Sequence, residues 1–357
     1  MKSLVAILTS LVCLFSSSTG LFAKQVESVS TIRKIDDSFY TMDYTFEYDI
    51  DEILRRGNPN TVELVLHGLN TVLNGAKGFA CTTFNSVTPS GDYLFSRNFD
   101  YMDASYLLLR TTPKNGYASI SSVSLEFLGY FGNMVPDSDL TGIMTLLAPY
   151  VPLDGINEKG LSIGVLELEK NPLFQISLKK DLTTTTVIRA VLDKAATVDE
   201  AIEIFRNHDI RDFLFGGCTY HYQIADASGK SVVIEYVDGK MNILEPIKAK
   251  ENKVDYIAAT NFYLTDGVYD PDGMGYDRYE TVTEALKASK GVTTEKEAMK
   301  LLKAVSMKDK DLHGYICSTL WSVVYNCTDR TVNVVHYLDY DNVYSFSLSK
   351  PLHDQVK

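Results

Sequence analysis

Strand-like and helical segments follow one another in blocks along this 357-residue chain. Residues 81–168 contain short β-forming runs separated by turn residues, residues 186–207 carry helical spacing, and strand and helix blocks then recur to the C-terminus. A parallel sheet needs strands and helices in regular βαβ alternation, and this order does not provide it. The sequence therefore predicts an α+β protein in which antiparallel sheets carry helices on their outer faces.

Hydrophobic spacing and cap residues place the individual elements. The predicted strands are rich in β-branched and aromatic residues, and they are 81–87, 92–101, 105–111, 117–123, 161–168, 219–225, 231–237, 240–244, 319–326, 331–338 and 343–348. The predicted helices have apolar residues on one face, and they are 60–74, 186–195, 198–207, 278–288 and 298–306. Capping boxes mark two helix starts, at Thr197 with Glu200 and at Thr294 with Glu297. Residues 24–59 show no clean periodicity.

The first 23 residues have the composition of a secretory signal peptide. Met1 and Lys2 precede the apolar run Leu4–Phe15, and a stretch of small residues ends at Ala23. The apolar run is too short to cross a bilayer. We therefore expect an exported protein, secreted or extracytoplasmic, whose mature chain has no membrane-spanning segment.

The net charge of −12 at pH 7 argues against a nucleic-acid partner. Binding to a polyanion needs clustered Lys and Arg, and the sequence has no such run. The cysteines after the signal peptide are Cys81, Cys218, Cys317 and Cys327. Their spacing is too sparse for a disulfide scaffold, and no C-x-x-C pair offers zinc ligands. Their redox state stays open, and we expect no metal or cofactor.

Cys81 opens a predicted hairpin with the sequence "CTTFNSVTPSGDYLFSRNFDY". Antiparallel pairing about its turn places Cys81 opposite residues 98–99 and within reach of Arg97 and Asp100. An arginine beside a thiol lowers the thiol pKa, so Cys81 is a candidate nucleophile. The plainer alternatives are that Cys81 is a small core residue and that Arg97 and Asp100 form an ion pair that braces the sheet.

Arg97 and Asp100 are three residues apart, so a regular strand points their side chains to opposite faces. If both lie in the site, we expect a bulge or a strand end near Asn98. Otherwise one of the two lies outside the site.

Local motifs do not identify the group that deprotonates Cys81. His221, His313 and His336 are available for a papain-like scheme, but none is surrounded by a motif. Cleavage before Cys81 gives that residue a free α-amine instead, which titrates near neutral pH and accepts the thiol proton. This second scheme also explains why the cysteine lies deep in the chain.

Four further stretches follow the hairpin in order: "DGINEKGLSIGVLEL" (154–168), "YHYQIADASGKSVVIEY" (220–236), "AATNFY" (258–263) and "YDRYE" (276–280). With the hairpin, they resemble N-terminal nucleophile hydrolases of the choloylglycine hydrolase, or linear amide C-N hydrolase, family, which includes bile salt hydrolases and penicillin V acylases. The resemblance implies a four-layer αββα sandwich. It also implies residues 81–357 as the catalytic amidase domain, with residues 24–80 as a propeptide or small subunit.

The resemblance also assigns roles to single residues. It implies Cys81 as the nucleophile, Arg97 as the group beside its sulfur and Asp100 as the partner of the α-ammonium. It implies Asn261 as an oxyanion and substrate contact, and Arg278 as a further cation of the active site. The plainer alternatives are a turn residue for Asn261 and a surface salt bridge at a helix start for Arg278.

Glu167 departs from part of the family. In bile salt hydrolases an asparagine aligns with Glu167. The related N-acylethanolamine acid amidases and acid ceramidases resemble this chain in having glutamate there. The chain is therefore nearer to that branch at this position, which favours a fatty-acyl or other amide over a bile salt. A charge at a strand edge is the plainer alternative for Glu167.

The function that the resemblance implies is a secreted, autoprocessed cysteine amidase that hydrolyses a linear amide bond of an N-acyl small molecule through a thioester on Cys81. The substrate is open among N-acylethanolamines, bile salt conjugates, penicillin V and others. Apolar residues within 126–153 are candidates for an acyl pocket, although such residues are more often core: Phe127, Tyr130, Phe131 and Met134. The alternatives are an unprocessed exported acyl-ligand-binding protein of the same fold without turnover, and a histidine-assisted cysteine hydrolase.

Overall fold

A computed structural model describes residues 26–57, 78–130, 132, 134–136, 139–168, 173, 175–211, 218–246, 248, 253–270, 273–312 and 314–356. The predicted signal peptide and the predicted helix at 60–74 lie outside these residues. The strands are β1 Arg33–Asp36, β2 Phe39–Tyr44, β3 Ala80–Val87, β4 Tyr93–Tyr101, β5 Tyr106–Thr111, β6 Ser119–Ser124, β7 Asp154–Asn157, β8 Ser162–Glu167, β9 Lys180–Leu182, β10 His208–Ile210, β11 Tyr220–Ala225, β12 Ser231–Val237, β13 Lys240–Leu244, β14 Ala258–Ala259, β15 Lys310–Leu312, β16 Tyr315–Asn326, β17 Thr331–His336 and β18 Tyr344–Ser347. The α-helices are α1 Ile50–Arg56, α2 Asp139–Gly142, α3 Thr184–Lys194, α4 Val198–Asn207, α5 Tyr276–Ser289 and α6 Glu295–Ala304, with 3-10 turns at Leu125–Leu128, Ile143–Tyr150 and Leu352–Asp354.

Two large sheets form the centre of the molecule. The nine-stranded sheet has the order β1-β2-β5-β6-β7-β8-β11-β12-β13. The seven-stranded sheet has the order β14-β3-β4-β16-β17-β18, with β15 beside β16. Neighbours in both sheets are antiparallel except β2 and β5, which run parallel. The short strands β9 and β10 form a separate parallel pair.

The sheets pack face to face with helices outside them. Helices α3 and α4 cover the nine-stranded sheet, and α5 and α6 cover the seven-stranded sheet. Alternation along the strands sorts side chains between the layers: in β3 and β4, Phe84 and Leu94 pack against Val282 and Leu302 of the helices, whereas Phe95 and Phe99 join the core between the sheets. The predicted α+β architecture with outer helices is confirmed, and its four layers are αββα.

Residues 33–56 form two strands and a helix that are absent from the predicted elements. Every residue of β2 is buried, because the strand lies between β1 and β5 and is covered on both faces. Apolar or aromatic residues nevertheless alternate with polar ones from Tyr40 to Tyr48 (YTMDYTFEY), which is typical of a strand, so the expectation of no clean periodicity in this segment is wrong. The segment before Cys81 therefore contributes to the nine-stranded sheet.

One of the two predicted capping boxes is complete. The Thr294 hydroxyl accepts from the Glu297 backbone N–H at 3.2 Å, and the Glu297 carboxylate accepts from the Thr294 backbone N–H at 2.8 Å. Thr197 caps α4 in the same way, at 3.2 Å from the Glu200 N–H. The Glu200 carboxylate, however, accepts from the N–H of Ala196 at 2.6 Å.

Replacing Thr294 with alanine is expected to lower the free energy of unfolding by about 1 kcal/mol, because the first turn of α6 loses its side-chain acceptor. Urea denaturation followed by circular dichroism measures the change. The control is Thr281→Ala in the interior of α5, where an exposed threonine is exchanged for a better helix former and no loss is expected. Equal destabilisation by both substitutions would contradict the capping role.

Candidate active site

Cys81 is the second residue of β3 and is fully buried between the two sheets. The register of β3 with β4 sets Cys81 opposite Phe99, as predicted, and Thr83 opposite Arg97. Side chains of Cys81 and Arg97 therefore share one face, and Nη2 of Arg97 donates to Sγ of Cys81 at 3.2 Å. The thiol itself donates to the carbonyl of Val165, at 3.6 Å. The predicted contact between Cys81 and Arg97 is thus present.

Asp154 holds the Arg97 guanidinium in this position. Nε of Arg97 lies 3.2 Å from Oδ2 of Asp154, and both side chains are fully buried. Asp154 also accepts from Trp321 Nε1 at 3.1 Å and from the hydroxyl of Tyr325. Gly164 makes room for the arginine, because a Cβ atom there would meet Arg97 Nη1 at 2.9 Å. Sequence reasoning missed Asp154, although it is the first residue of a stretch that carried the family resemblance.

Asp100 lies on the opposite face of β4 from Arg97, towards α5. It pairs with Arg278 at 3.5 Å and accepts from the Thr319 hydroxyl at 2.5 Å. The alternative of an Arg97–Asp100 ion pair is therefore wrong. The expected bulge near Asn98 is also wrong, because β4 is regular through Tyr101 and the irregularity lies in β16, between Thr319 and Trp321.

Arg278 joins Asp100 to the main chain of Cys81. Its Nη1 donates to the carbonyl oxygen of Cys81 and, at 2.9 Å, to the hydroxyl of Thr82. Gly275, in the left-handed conformation at φ 81°, precedes α5, and a Cβ atom there would collide with the Arg278 guanidinium. Arg278 is 8% exposed, so the alternative of a surface salt bridge is wrong.

Asn261 is buried beside the Cys81 backbone. Its Oδ1 accepts from the Cys81 N–H at 2.8 Å and from Arg278 Nη2 at 2.9 Å. Its Nδ2 donates to the carbonyl of Glu167 at 2.8 Å and faces the carbonyl of Phe79 at 3.4 Å. An amide donor directed at the segment before Cys81 is suited to stabilise an oxyanion there.

The residues before Cys81 occupy the space beside the thiol. The N–H of Phe79 donates to Glu167 Oε2 at 2.9 Å. The Phe79 ring lies 5.2 Å from the Phe99 ring and is stacked at 5.7 Å on Tyr220. Glu167 is 4% exposed, so the alternative of a solvated strand-edge charge is wrong. The segment before Cys81 is thus held by a carboxylate, an amide and two aromatic rings.

Candidate acyl-pocket residues are only partly described. Phe127 lies 5.7 Å, between ring centroids, from Tyr101, whose ring is 5.8 Å from Phe99. Tyr130 is buried and donates its hydroxyl to the Thr141 carbonyl at 2.5 Å. Met134 packs against the main core, and Phe131 lies outside the described residues. An aromatic run therefore connects Phe127 to the space that Phe79 fills.

Burial decides the protonation of the Cys81 thiol in the intact chain. Burial raises the pKa of the Cys81 thiol to about 12, although the charge of Arg97 lowers it. Arg97 thus lowers the thiol pKa as expected, but burial outweighs its effect in the intact chain. Burial likewise raises the pKa of Asp100 to about 6, against the opposing effects of Arg278 and Thr319.

The raised pKa of Asp100 gives a signed prediction for the uncleaved protein. Its folded pKa, about 6, exceeds its ordinary value of 3.8, so its contribution to stability is present below pH 3.8 and is lost as pH rises through 6. We compare Cys81→Ala with the double variant Cys81→Ala/Asp100→Asn. The loss in free energy of unfolding caused by Asp100→Asn should become smaller, or turn into a gain, as the pH rises from 4.5 to 7. Urea denaturation at both pH values measures this, and the opposite trend would mean that pairing with Arg278 outweighs burial.

The histidines considered as bases lie in other surroundings. His221 contacts Glu235 and the Thr260 carbonyl, and His336 contacts Ser38 and Asp36. His313 lies outside the described residues. Neither described histidine has Cys81 among its hydrogen-bond partners, so the structure gives no support to a histidine-assisted scheme.

Cys317 and Cys327 are buried thiols and are not joined to Cys81 by a disulfide. Within the described residues, no group of three or more His, Cys, Asp or Glu side chains is placed to hold a metal ion. No helix in the described part of the chain is long and apolar enough to span a membrane.

Comparison with known proteins points to one family. The model of the linear amide C-N hydrolases, choloylglycine hydrolase family, matches residues 81–270 and so begins at Cys81. The chain is 32% identical over 184 residues to a penicillin V acylase from Pectobacterium atrosepticum, covering 48% of each chain. It is 27% identical over 176 residues to a bile salt hydrolase/transferase from Clostridium perfringens, covering 46% of this chain and 50% of the relative. The chain thus matches about half the length of these curated relatives.

Solved structures are similar over a larger part of the chain. A conjugated bile acid hydrolase from Clostridium perfringens superposes with a TM-score of 0.53 at 17% identity, over 78% of this chain and 95% of that one. A penicillin V acylase from Agrobacterium tumefaciens superposes with a TM-score of 0.51 at 19% identity, over 76% and 87%. These likenesses confirm the predicted N-terminal nucleophile hydrolase sandwich.

Proposed function

Because this chain belongs to the linear amide C-N hydrolases of the choloylglycine hydrolase family, we propose that it is a self-processing cysteine amidase acting on an N-acyl small molecule. The observation that carries the proposal is the 3.2 Å contact between Arg97 Nη2 and Cys81 Sγ. It lies directly after a segment held by Glu167 and Asn261. A thiol, a cation and the side-chain amide of Asn261 thus surround the Ala80–Cys81 peptide.

Self-processing uses the thiol of Cys81 on the preceding peptide bond. Sγ adds to the Ala80 carbonyl carbon, the Ala80–Cys81 C–N bond breaks, and the thiol proton ends on the released amine of Cys81. Water then hydrolyses the resulting thioester, which leaves a carboxylate on Ala80 and a thiol on Cys81. The oxyanion forms on the Ala80 carbonyl, and Asn261 Nδ2, which donates to the neighbouring Phe79 carbonyl at 3.4 Å, is its proposed donor.

Amide hydrolysis then uses the new N-terminus of Cys81. Its α-amine titrates near pH 8 and takes the thiol proton, so that thiolate forms beside Arg97. Loss of residues 78–80 also opens the buried site, which reduces the burial that holds the thiol pKa at about 12 in the uncleaved chain. The thiolate attacks the substrate carbonyl, the amine leaves with a proton, and water releases the acyl group from the thioester.

The cleaved N-terminal segment is proposed to stay bound as a small subunit. Strand β2 pairs with β5, and Phe39 and Met42 are fully buried. Asp43 in the same strand accepts from the N–H groups of Leu352 at 2.9 Å and His353 at 3.0 Å. Dissociation would expose this apolar surface and leave the C-terminal residues without their acceptor.

The acyl group is proposed to occupy the space that Phe79 vacates. That space borders Phe99 and Tyr220 and continues along the aromatic run to Phe127. Its lining favours an apolar acyl chain or ring.

The protein is also proposed to be exported, with residues 1–23 as its signal peptide. Amino-terminal sequencing of protein from the extracytoplasmic fraction tests this.

Intact-mass analysis of the purified protein, combined with a substrate panel, tests the function. We expect two co-eluting species, the larger beginning at Cys81, and hydrolysis of at least one of N-acylethanolamines, conjugated bile acids and penicillin V. A chain that stays whole, binds acyl amides and does not turn them over would support the unprocessed binding protein. The buried, protonated thiol of the uncleaved chain is the observation that favours that alternative.

A further inference from the structure

We propose that the buried His221–Glu235 pair is a positioning element that fixes Asn261 for the reaction. This inference rests on the proposed function, in which Asn261 stabilises the oxyanion. His221 lies in β11 and Glu235 in β12, and the register that sets Tyr222 opposite Ile234 brings the two side chains together. Both side chains are fully buried.

The pair holds the loop that carries Asn261 at points on both sides of that residue. Before it, Nε2 of His221 lies 2.7 Å from the carbonyl oxygen of Thr260. After it, Glu235 accepts from the N–H of Leu264 at 2.8 Å and from the N–H of Thr265 at 3.1 Å. Asn261 is therefore enclosed between two anchors that belong to one pair of side chains.

Hydrogen-bond roles determine where the protons are. A backbone carbonyl only accepts, so Nε2 of His221 carries a proton towards Thr260. Nδ1 of His221 is 3.0 Å from Glu235 Oε1, and a further proton lies between them. Glu235 also accepts from the hydroxyl of Thr265 at 2.7 Å, and three such donors favour the carboxylate. Glu235 is thus a carboxylate, and His221 links it to the Thr260 carbonyl.

The charge state of Glu235 agrees with this assignment. Burial raises the pKa of Glu235, but hydrogen bonds and the charge of His221 together hold that pKa below its ordinary value. Removing one member of a buried pair leaves the other without its partner and is strongly destabilising. The link from His221 to Asn261 then runs through one peptide unit, because Thr260 directly precedes Asn261.

A small displacement of Asn261 has direct consequences at the reacting bond. Its Oδ1 binds the Cys81 N–H and its Nδ2 faces the segment before Cys81, so a shift of the loop moves both groups. A misplacement of about 1 Å in a catalytic constellation costs roughly 100-fold in rate. In the described part of the chain neither His221 nor Glu235 has Cys81 among its hydrogen-bond partners, so the pair acts through the loop.

The experiment compares His221→Leu and Thr265→Val with wild type. We expect kcat per cleaved molecule to fall roughly 100-fold in His221→Leu and roughly 3- to 10-fold in Thr265→Val, the scale of one hydrogen bond. KM should change less than about threefold, because uniform substrate binding is untouched. His221→Gln keeps a donor in reach of Thr260 and should recover part of the loss. If His221→Leu does not fold, the kcat of Thr265→Val tests the positioning role by itself.

Arg189→Ala is the matched control, since it breaks a fully buried ion pair with Asp193 that lies within α3. It should lower stability and leave kcat within about twofold of wild type. The positioning role would be overturned if Arg189→Ala lowered kcat as much as His221→Leu does. It would also be overturned if His221→Leu and Thr265→Val left kcat unchanged, or if they changed KM alone. A wild-type protein that neither cleaves nor hydrolyses overturns the proposed function instead.

Discussion

Replacing Cys81 with alanine is expected to leave the Ala80–Cys81 bond intact and to abolish amide hydrolysis. Both reactions need the same sulfur atom, and removal of a nucleophile costs on the order of 10⁶-fold in kcat. Intact mass should show one full-length species, and no product should form from a substrate that wild type hydrolyses. The fold should persist, because the substitution removes one buried atom and leaves the strand register of β3 unchanged.

Two controls separate the nucleophile from a cysteine that only packs. Cys327→Ala removes another fully buried thiol, whose Sγ lies 3.5 Å from the Ser162 hydroxyl, and it should still be cleaved and active. Cys81→Ser keeps a weaker nucleophile and should cleave slowly. A Cys81→Ala protein that is cleaved at residue 80 would show that another protease, and not this chain, makes the cut.

Replacing Arg97 with alanine should damage both stability and reactivity. The change leaves the buried carboxylate of Asp154 without its cation and removes the donor that lies 2.5 Å from the Leu153 carbonyl. Breaking a buried ion pair by removing one member costs about 3–5 kcal/mol. The free energy of unfolding, measured with urea in a Cys81→Ala background, should fall by that amount.

Reactivity should fall because Arg97, more than Arg278, opposes the effect of burial on the pKa of the Cys81 thiol. Without it the thiol pKa rises further, and less thiolate forms. The rate of alkylation of Cys81 at pH 7 and the rate of self-cleavage should both fall. Arg97→Lys keeps the charge but not the fork that reaches Sγ, Leu153 and Asp154 together, so it should recover stability more than reactivity. Arg189→Ala is the control. If it loses as much stability as Arg97→Ala but still cleaves at the normal rate, general destabilisation does not explain the lower reactivity of Arg97→Ala.

Local features of the sequence determined much of the fold. The capping box at Thr294 and the apolar spacing of α4 located helices, because these signals depend on residues within a few positions of one another. The short turn between β3 and β4 set the register that pairs Cys81 with Phe99, since a hairpin leaves little choice of partner. Block order alone excluded a parallel sheet as the general plan.

Contacts between distant segments were decided only by the tertiary structure. Asp154 reaches Arg97 because β7 of one sheet packs over β4 of the other, and no local pattern encodes that crossing. Strand β2 carries an alternating pattern in its own sequence, and only its parallel pairing with β5 needed the tertiary structure. His221 and Glu235 face each other in two predicted neighbouring strands, but their contacts with the loop at Thr260 and Leu264 depend on a distant segment.

The opposite faces of Arg97 and Asp100 show the division most clearly. Their spacing determined that a regular strand separates them, and the sequence left open whether the strand is regular. The tertiary structure decided it by supplying each side chain with its own partner, Asp154 on one face and Arg278 on the other. It also decided the state of the Cys81 thiol, because the balance between burial and a neighbouring cation depends on how completely the two sheets exclude water. A sequence specifies which charges are available, whereas only packing sets the solvent around them.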